Sequence, residues 1–460
     1  MIKKLLYPLV LVVIGCGEGV LNTPKVHFAG EIVNPTSKHV VLLKGDRVID
    51  SAQLDATNRF AFNFDSLPTG LYHFNHSPEL QYIYLEPGDS ITIRLNTIDF
   101  DESLAFSGKG SEISSFLLEV FLAKEAEAPL INAYYTLEAG AFSLKIDSLK
   151  KSKMDMLGDL KSDGEVSGEE EAIALASISY TYNTFMEKYP FKHKQLAHQG
   201  VMESLPKGFY SYRKSLDYGD EKLVYLRPYY NFMQHHIQNR AYMDCSEKCA
   251  VNEAIVRDQL HFNQHKMRMI DSLVTAKELK DNLYRYVAFD YLLKVHDTEE
   301  NNRKFIEEFH ELSQNNKHLE EIDNLYHGIE NIQPNKFIPE LYVSSMDGDT
   351  ISLREISEKG KTVFYFWSGS EKRHFNNIKA RITKLSEEHP RLRYVGINMK
   401  TNEPTWKAMV ERSGLDKSLQ FRADDFEELT KSLIIYPPNK CVITEDAKIV
   451  DAFANIYSEF

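Results

Sequence analysis

The chain has 460 residues, with 67 acidic against 54 basic side chains and a formal net charge of −13. That length leaves room for roughly two to four domains with substantial cores, and the acidic balance argues against nucleic acid as a partner. The charge is spread without a long acidic block, so its main consequence is solubility.

Lys3 and Lys4 precede an apolar run from Leu5 to Ile14, and Gly15-Cys16 closes it. Positive, apolar and small-residue regions in that order predict a signal peptide over residues 1–16, too short to persist as a spanning helix. Val13-Ile14-Gly15-Cys16 resembles a bacterial lipobox, which implies that Cys16 is lipidated and becomes the first mature residue. Acyl chains anchor a protein without a transmembrane helix. The membrane, reached through that lipid, is therefore an expected partner. Gly17-Glu18-Gly19 lacks a run of acidic residues, so the expected location is the cell envelope, facing the periplasm.

Residues 25–110 read as an all-β module. His39–Leu43, Phe60–Phe64 and Ser90–Leu95 alternate or are β-branched, and Asn34-Pro35, Pro68-Thr69-Gly70 and Pro87-Gly88-Asp89 supply turns between them. Short strands at this spacing predict a small antiparallel sandwich. Tyr82-Ile83-Tyr84-Leu85-Glu86-Pro87-Gly88-Asp89, followed by a strand, resembles the DUF4369-type β-domain that precedes thioredoxin-like domains in bacterial lipoproteins. The resemblance implies architecture and little chemistry.

Residues 111–333 change to helical spacing. Ile113, Phe116, Leu117, Val120 and Phe121 fall on one helical face, and Leu279, Leu283, Val287 and Tyr291 step by four, as do Phe305 and Phe309. Polar breaks at 161–164 and 166–169 separate helices. The aromatic residues of this region are expected in helix–helix cores.

In residues 336–460, Val363–Trp367 reads as a buried strand that runs into Ser368-Gly369-Ser370 and a helix from Glu371 to about Glu387. Strands are expected at 393–398, 441–444 and 449–450, with a hairpin turn at Asp347-Gly348-Asp349. With Phe337-Ile338-Pro339-Glu340-Leu341 ahead of it and Tyr436-Pro437-Pro438 behind, the segment resembles a TlpA / AhpC-TSA-like thioredoxin fold. The fold class expected for the whole chain is thus multi-domain α+β: an antiparallel β-sandwich, a helical middle and a C-terminal thioredoxin-like α/β domain. In redox-active relatives a Cys-x-x-Cys pair opens the helix after the Trp, and here those positions fall on Glu371 and His374. Neither can form a mixed disulfide, since exchange needs a thiolate. Glu371 is read as a helix-start carboxylate favoured by the helix dipole, with Ser368 or Ser370 as a cap, and His374 as a solvent-facing first-turn residue. Pro438 aligns with the cis-proline position of the family. It shapes a turn or, with Trp367, lines a groove for an extended peptide.

Cys245, Cys249, His261 and His265 follow a Cys-x3-Cys-x11-His-x3-His spacing close to a tetrahedral zinc pattern. In an exported, oxidising compartment the two cysteines favour a disulfide over free thiols or a metal site, provided that the chain around them is a loop or helix start. Cys441, alone on an apolar strand, reads as a core residue. No cofactor is expected. The function expected is binding or scaffolding by a membrane-anchored periplasmic lipoprotein with a redox-inactive thioredoxin-like domain, whose partner is an extended peptide or an envelope protein. The alternative is a TlpA-like thiol–disulfide oxidoreductase in which Cys245 and Cys249 stand in for the missing pair.

Overall fold

The computed structural model describes residues 24–164, 166–197, 205–245, 251–252, 255–436 and 439–458. The chain is mixed α/β and divides into two compact units. The first comprises 1–189, 205–210 and 222–232, and the second 190–204, 211–221 and 233–460. The helical segment does not stand as a body of its own, because its helices are shared between the two. No helix among the described residues is long and apolar enough to cross a membrane.

In the first unit, β1 (Val26–Val33), β2 (His39–Lys44), β3 (Arg47–Gln53), β4 (Arg59–Phe64), β5 (Gly70–His76), β6 (Glu79–Leu85), β7 (Ser90–Asn96) and β8 (Ala105–Lys109) form two four-stranded sheets, ordered β4-β1-β7-β8 and β3-β2-β5-β6. Alternation puts Phe28, Phe60, Phe62, Ile91 and Ile93 inward from one sheet and Val40, Leu42, Phe74 and Ile83 inward from the other, in one apolar core. The Phe28 ring lies 5.3 Å from Phe60 of its own sheet and 5.7 Å from Phe74 of the other, so an aromatic contact crosses between the sheets. The expected purely antiparallel sandwich needs correction. β1 pairs antiparallel with β4 but parallel with β7, because β7 returns to the β1 edge after the whole β2–β6 excursion. A short α1 (Phe100–Ser103) precedes β8. Next come α2 (Glu112–Tyr134), α3 (Ala139–Asp163) and α4 (Gly168–Ala197), and Ile113, Phe116, Leu117 and Val120 are buried along α2.

After α5 (Arg227–Asp244) and a two-residue hairpin, β9 (Val251–Asn252) and β10 (Ile255–Val256), the second unit continues with α6 (Gln259–Leu273), α7 (Lys277–Lys294), α8 (Glu299–Leu312) and α9 (Leu319–Asn331). The step-of-four stripe of α7 is buried, and Tyr291 stacks on Phe305 of α8 at 4.3 Å. A mixed sheet then follows, built from β11 (Tyr342–Ser344), β12 (Thr350–Ser352), β13 (Thr362–Trp367), β14 (Arg393–Asn398), β15 (Gln420–Ala423), β16 (Lys440–Glu445) and β17 (Lys448–Asn455). Its helices are α10 (Leu353–Ser357), α11 (Lys372–Glu388), α12 (Glu403–Ser413) and α13 (Phe426–Ser432). The strand order is β12-β11-β15-β14-β13-β16-β17, with β13, β14 and β15 parallel and β16 antiparallel to β13. All six residues of β13 are buried, as a strand covered on both faces requires.

Gly396 lies in register with Tyr365 on one side and Gln420 on the other. The Tyr365 hydroxyl reaches Gln420 Oε1 at 3.2 Å across it. A Cβ on Gly396 would stand 2.3 Å from Gln420 Oε1 and 2.6 Å from the Tyr365 hydroxyl. Only a residue without a side chain lets that buried bond tie β13 to β15. Gly396→Ala is therefore expected to destabilise the protein by about 1–3 kcal/mol. Gly158→Ala, where an added methyl meets nothing within 4 Å in α3, should stabilise it by up to about 1 kcal/mol. Denaturant unfolding of the two variants checks the opposite signs.

Candidate functional site

β13 delivers the chain to the site. Its last residue, Trp367, is 2 % exposed and stacks on Phe375 of α11, with ring centroids 4.3 Å apart. The Trp367 carbonyl accepts the Met399 amide at 2.8 Å, and the Gly369 amide donates to Thr401 Oγ1 at 2.8 Å, so the turn after β13 is fastened to the segment after β14. Gly369 is needed for that approach, since a Cβ there would meet Thr401 Cγ2 at 2.8 Å. Ser368 and Ser370 share a hydrogen bond of 2.8 Å between their hydroxyls. Neither caps α11, contrary to expectation: Ser368 Oγ accepts the Ser370 amide at 3.4 Å, and the N-cap position falls on Glu371.

Glu371 occupies the N-cap position of α11 and is exposed, and its side chain makes no capping bond. His374 is half-buried in the first turn, where full exposure was expected. Glu371 and His374 thus put a carboxylate and an imidazole at the mouth of the parallel strands, the place where open α/β sheets bind ligands. The groove expected around Trp367 needs revision, because the indole lies beneath Phe375 and cannot present its face to a peptide. Pro438 lies outside the described residues. Tyr436, just before it, is 57 % exposed.

Under this junction sits a polar cluster that the sequence did not disclose. Trp367 Nε1, Trp406 Nε1 and both amide atoms of Asn398 are buried without a hydrogen-bond partner among the described residues. Asn398 is the register partner of Trp367. An unsatisfied buried amide costs about 1–3 kcal/mol, and departures of this kind concentrate where function overrides stability. The only trace in the sequence is an Asn that ends β14 after the buried stretch Tyr394–Ile397. Chemically the cluster offers hydrogen-bond donors and one acceptor, with no nucleophile.

The loop behind the junction carries a second departure. Ile434 has φ +53°, a left-handed conformation that a β-branched residue rarely adopts. Its carbonyl accepts Lys440 Nζ at 3.0 Å, and the same ammonium donates to Leu433 O at 2.5 Å while lying 4.1 Å from the centre of the Phe453 ring. One buried cation thus holds the strained turn.

The cysteines lie elsewhere. Cys441 is not disulfide-bonded and is fully buried in β16. Cys245, buried just past the end of α5, is disulfide-bonded, while Cys16 and Cys249 lie outside the described residues. His261 and His265 stand one turn apart on α6, both half-buried. A disulfide sulfur is not a thiolate ligand, and among the described residues no group of three or more His, Cys, Asp or Glu is arranged to hold a metal.

No protein-family model and no curated protein matches the sequence. Among solved structures, the chain is similar to the C-terminal domain of a protein named as a thiol–disulfide oxidoreductase from Bacteroides thetaiotaomicron, at 18% identity and TM-score 0.24 over 26% of this chain and 86% of that one. It is also similar to a protein named as a thiol–disulfide oxidoreductase from Bacteroides vulgatus, at 19% identity and TM-score 0.23 over 28% of this chain and 92% of that one. A third similar structure is a domain from Cytophaga hutchinsonii named as a thiol–disulfide isomerase, at 15% identity and TM-score 0.23 over 27% of this chain and 86% of that one.

Burial pushes the Lys440 ammonium down to about 7, against a weaker upward pull from Asp451. Below that pH the ammonium is charged in both folded and unfolded chains, and the full cost of burying it is present. Between about 7 and 10.5 the unfolded chain binds the extra proton, so this residue makes stability rise with pH across that window. Lys440→Met is expected to flatten that rise, read from unfolding midpoints at pH 7 and pH 9.

Proposed function

We propose that the protein is an envelope lipoprotein, held to the membrane through lipid on Cys16, whose residues 336–460 form a thioredoxin-like domain that binds a partner instead of exchanging disulfides. The observation that carries this reading is the identity of the residues at the β13–α11 junction. On this reading Glu371 and His374 stand where the sulfur pair would be, and the cysteine in the same sheet, Cys441, is fully buried and not disulfide-bonded. An extended peptide or an envelope protein would meet exposed Ser370, Glu371, Lys372 and Tyr436, with the buried indole as support. On this reading the two-sheet module at residues 25–110 is a DUF4369-type domain that spaces the rest of the protein from the membrane.

One observation favours a second reading. Cys245 is disulfide-bonded, so a redox-capable sulfur exists outside the junction. In that case the protein is a TlpA-like oxidoreductase that works through Cys245 and Cys249. Insulin reduction by the purified full-length protein in the presence of dithiothreitol separates the two. The binding role predicts no turnover above the rate without protein. Turnover that disappears in Cys245→Ser would instead establish the oxidoreductase.

A further inference from the structure

A cavity of about 120 Å³ opens within the first unit, between β6, α2, α4 and the start of α5. Its size is close to that of an engineered apolar cavity of about 150 Å³ that takes up benzene. Leu117, Val120, Phe121 and Lys124 line it at helical spacing along α2, and Ser177, Thr181, Phe185 and Lys188 do so along α4. Each helix therefore turns a stripe with an apolar body and a cationic end toward the same space. Arg227, at the start of α5, adds a third cation.

The chemistry of this lining is one-sided. Among the described residues no carboxylate lines the cavity, and the Arg227 guanidinium makes no ion pair there. Lys124 is paired only with Glu125, its chain neighbour on the solvent side, at 2.7 Å with both side chains more than a third exposed. Such an exposed pair gives little stabilisation and leaves the ammonium open to a second anion. Gln81 is committed elsewhere, donating to Asp101 at 2.8 Å, and the Tyr82 hydroxyl accepts the Arg227 backbone amide. Ser177 and Thr181 are only 4% and 7% exposed and line the cavity, and their hydroxyls make no hydrogen bond among the described residues, so an occupant with acceptor oxygens would find them available.

We propose that this cavity is a binding site for a small organic monoanion with an apolar body, a carboxylate of about the size of benzoate. Its carboxylate oxygens take charge-assisted hydrogen bonds from Arg227 and Lys124 and further bonds from the α4 hydroxyls. Its ring packs against Leu117, Val120, Phe121 and Phe185. A site built in this way recognises charge and apolar bulk together, so inorganic phosphate and a neutral ring of the same shape both fit poorly. The inference concerns the first unit and stands independently of the role proposed for residues 336–460.

Calorimetric titration of the full-length protein with benzoate, benzamide and inorganic phosphate tests it. Benzoate is expected to bind with a dissociation constant of about 1 mM or below, and benzamide at least about tenfold more weakly. Lys124→Gln combined with Arg227→Gln alters only side chains at the rim and should weaken benzoate at least about tenfold while leaving the melting temperature of the unliganded protein unchanged. Thr181→Val, which conserves volume, should weaken benzoate severalfold and provides a second readout from inside the cavity. The proposal is overturned if benzoate shows no binding up to about 10 mM, if benzamide binds as tightly, or if the double variant binds benzoate like the unaltered chain.

Discussion

The second unit is organised by the burial of one strand. Every residue of β13 is shielded from water, with β14 parallel on one side and β16 antiparallel on the other. A strand covered on both faces has no polar side on which to slip, so its register and the direction in which it exits are fixed together. That exit places Trp367 under Phe375 and aims the following turn at the start of α11. The residues beyond it are therefore held by the core even though Ser370 and Glu371 lie in solvent. A scaffold of this kind positions whatever side chains stand at the junction, and in this chain they are Glu371 and His374.

Stability and recognition pull in different directions near that junction. Asn398, Trp367 and Trp406 bury polar atoms without partners among the described residues, and Ile434 is held in a left-handed conformation by a lysine that is itself buried. An apolar residue at 398 or a glycine at 434 would relieve each departure, and neither is present. The two features flank the same turn-rich end of the sheet, where a binding role would need shape and hydrogen-bonding capacity more than it would need a nucleophile. In the first unit the corresponding tension lies at the cavity lined by α2 and α4, where apolar residues, cations and hydroxyls without a partner among the described residues face one space.

Much of this was legible in the sequence where burial imposes a simple period. β13 reads as an uninterrupted apolar run because both faces are covered, and β14 has the bounds expected of it. α7 reads as a step of four because one face is covered, and the Asp347-Gly348-Asp349 turn appears through a glycine at φ +95°. What failed to appear was assembled from distant parts. β15 is four residues of mixed polarity whose attachment depends on a glycine in β14 and a tyrosine in β13. The parallel β1–β7 pairing leaves no local mark, since each strand alternates just as it would in an antiparallel sheet. At the cavity, Tyr82 and Arg227 lie 145 residues apart, and its helical stripes look in sequence like ordinary core. The residues of the candidate site divide in the same way. Glu371 and His374 could be placed from the strand–turn–helix pattern, whereas the inward orientation of Trp367 and the orphaned amide of Asn398 depend on packing that no local pattern records.

We propose that residues 336–460 keep a thioredoxin-like scaffold whose β13–α11 junction lacks the sulfur pair. Restoring the sulfur tests it most directly. In a Glu371→Cys, His374→Cys double variant, with Cys245→Ser added to remove the other disulfide, the account predicts that the new pair oxidises and that the protein gains dithiothreitol-dependent insulin reduction. A triple variant that folds but whose new thiols neither oxidise nor confer turnover would contradict it.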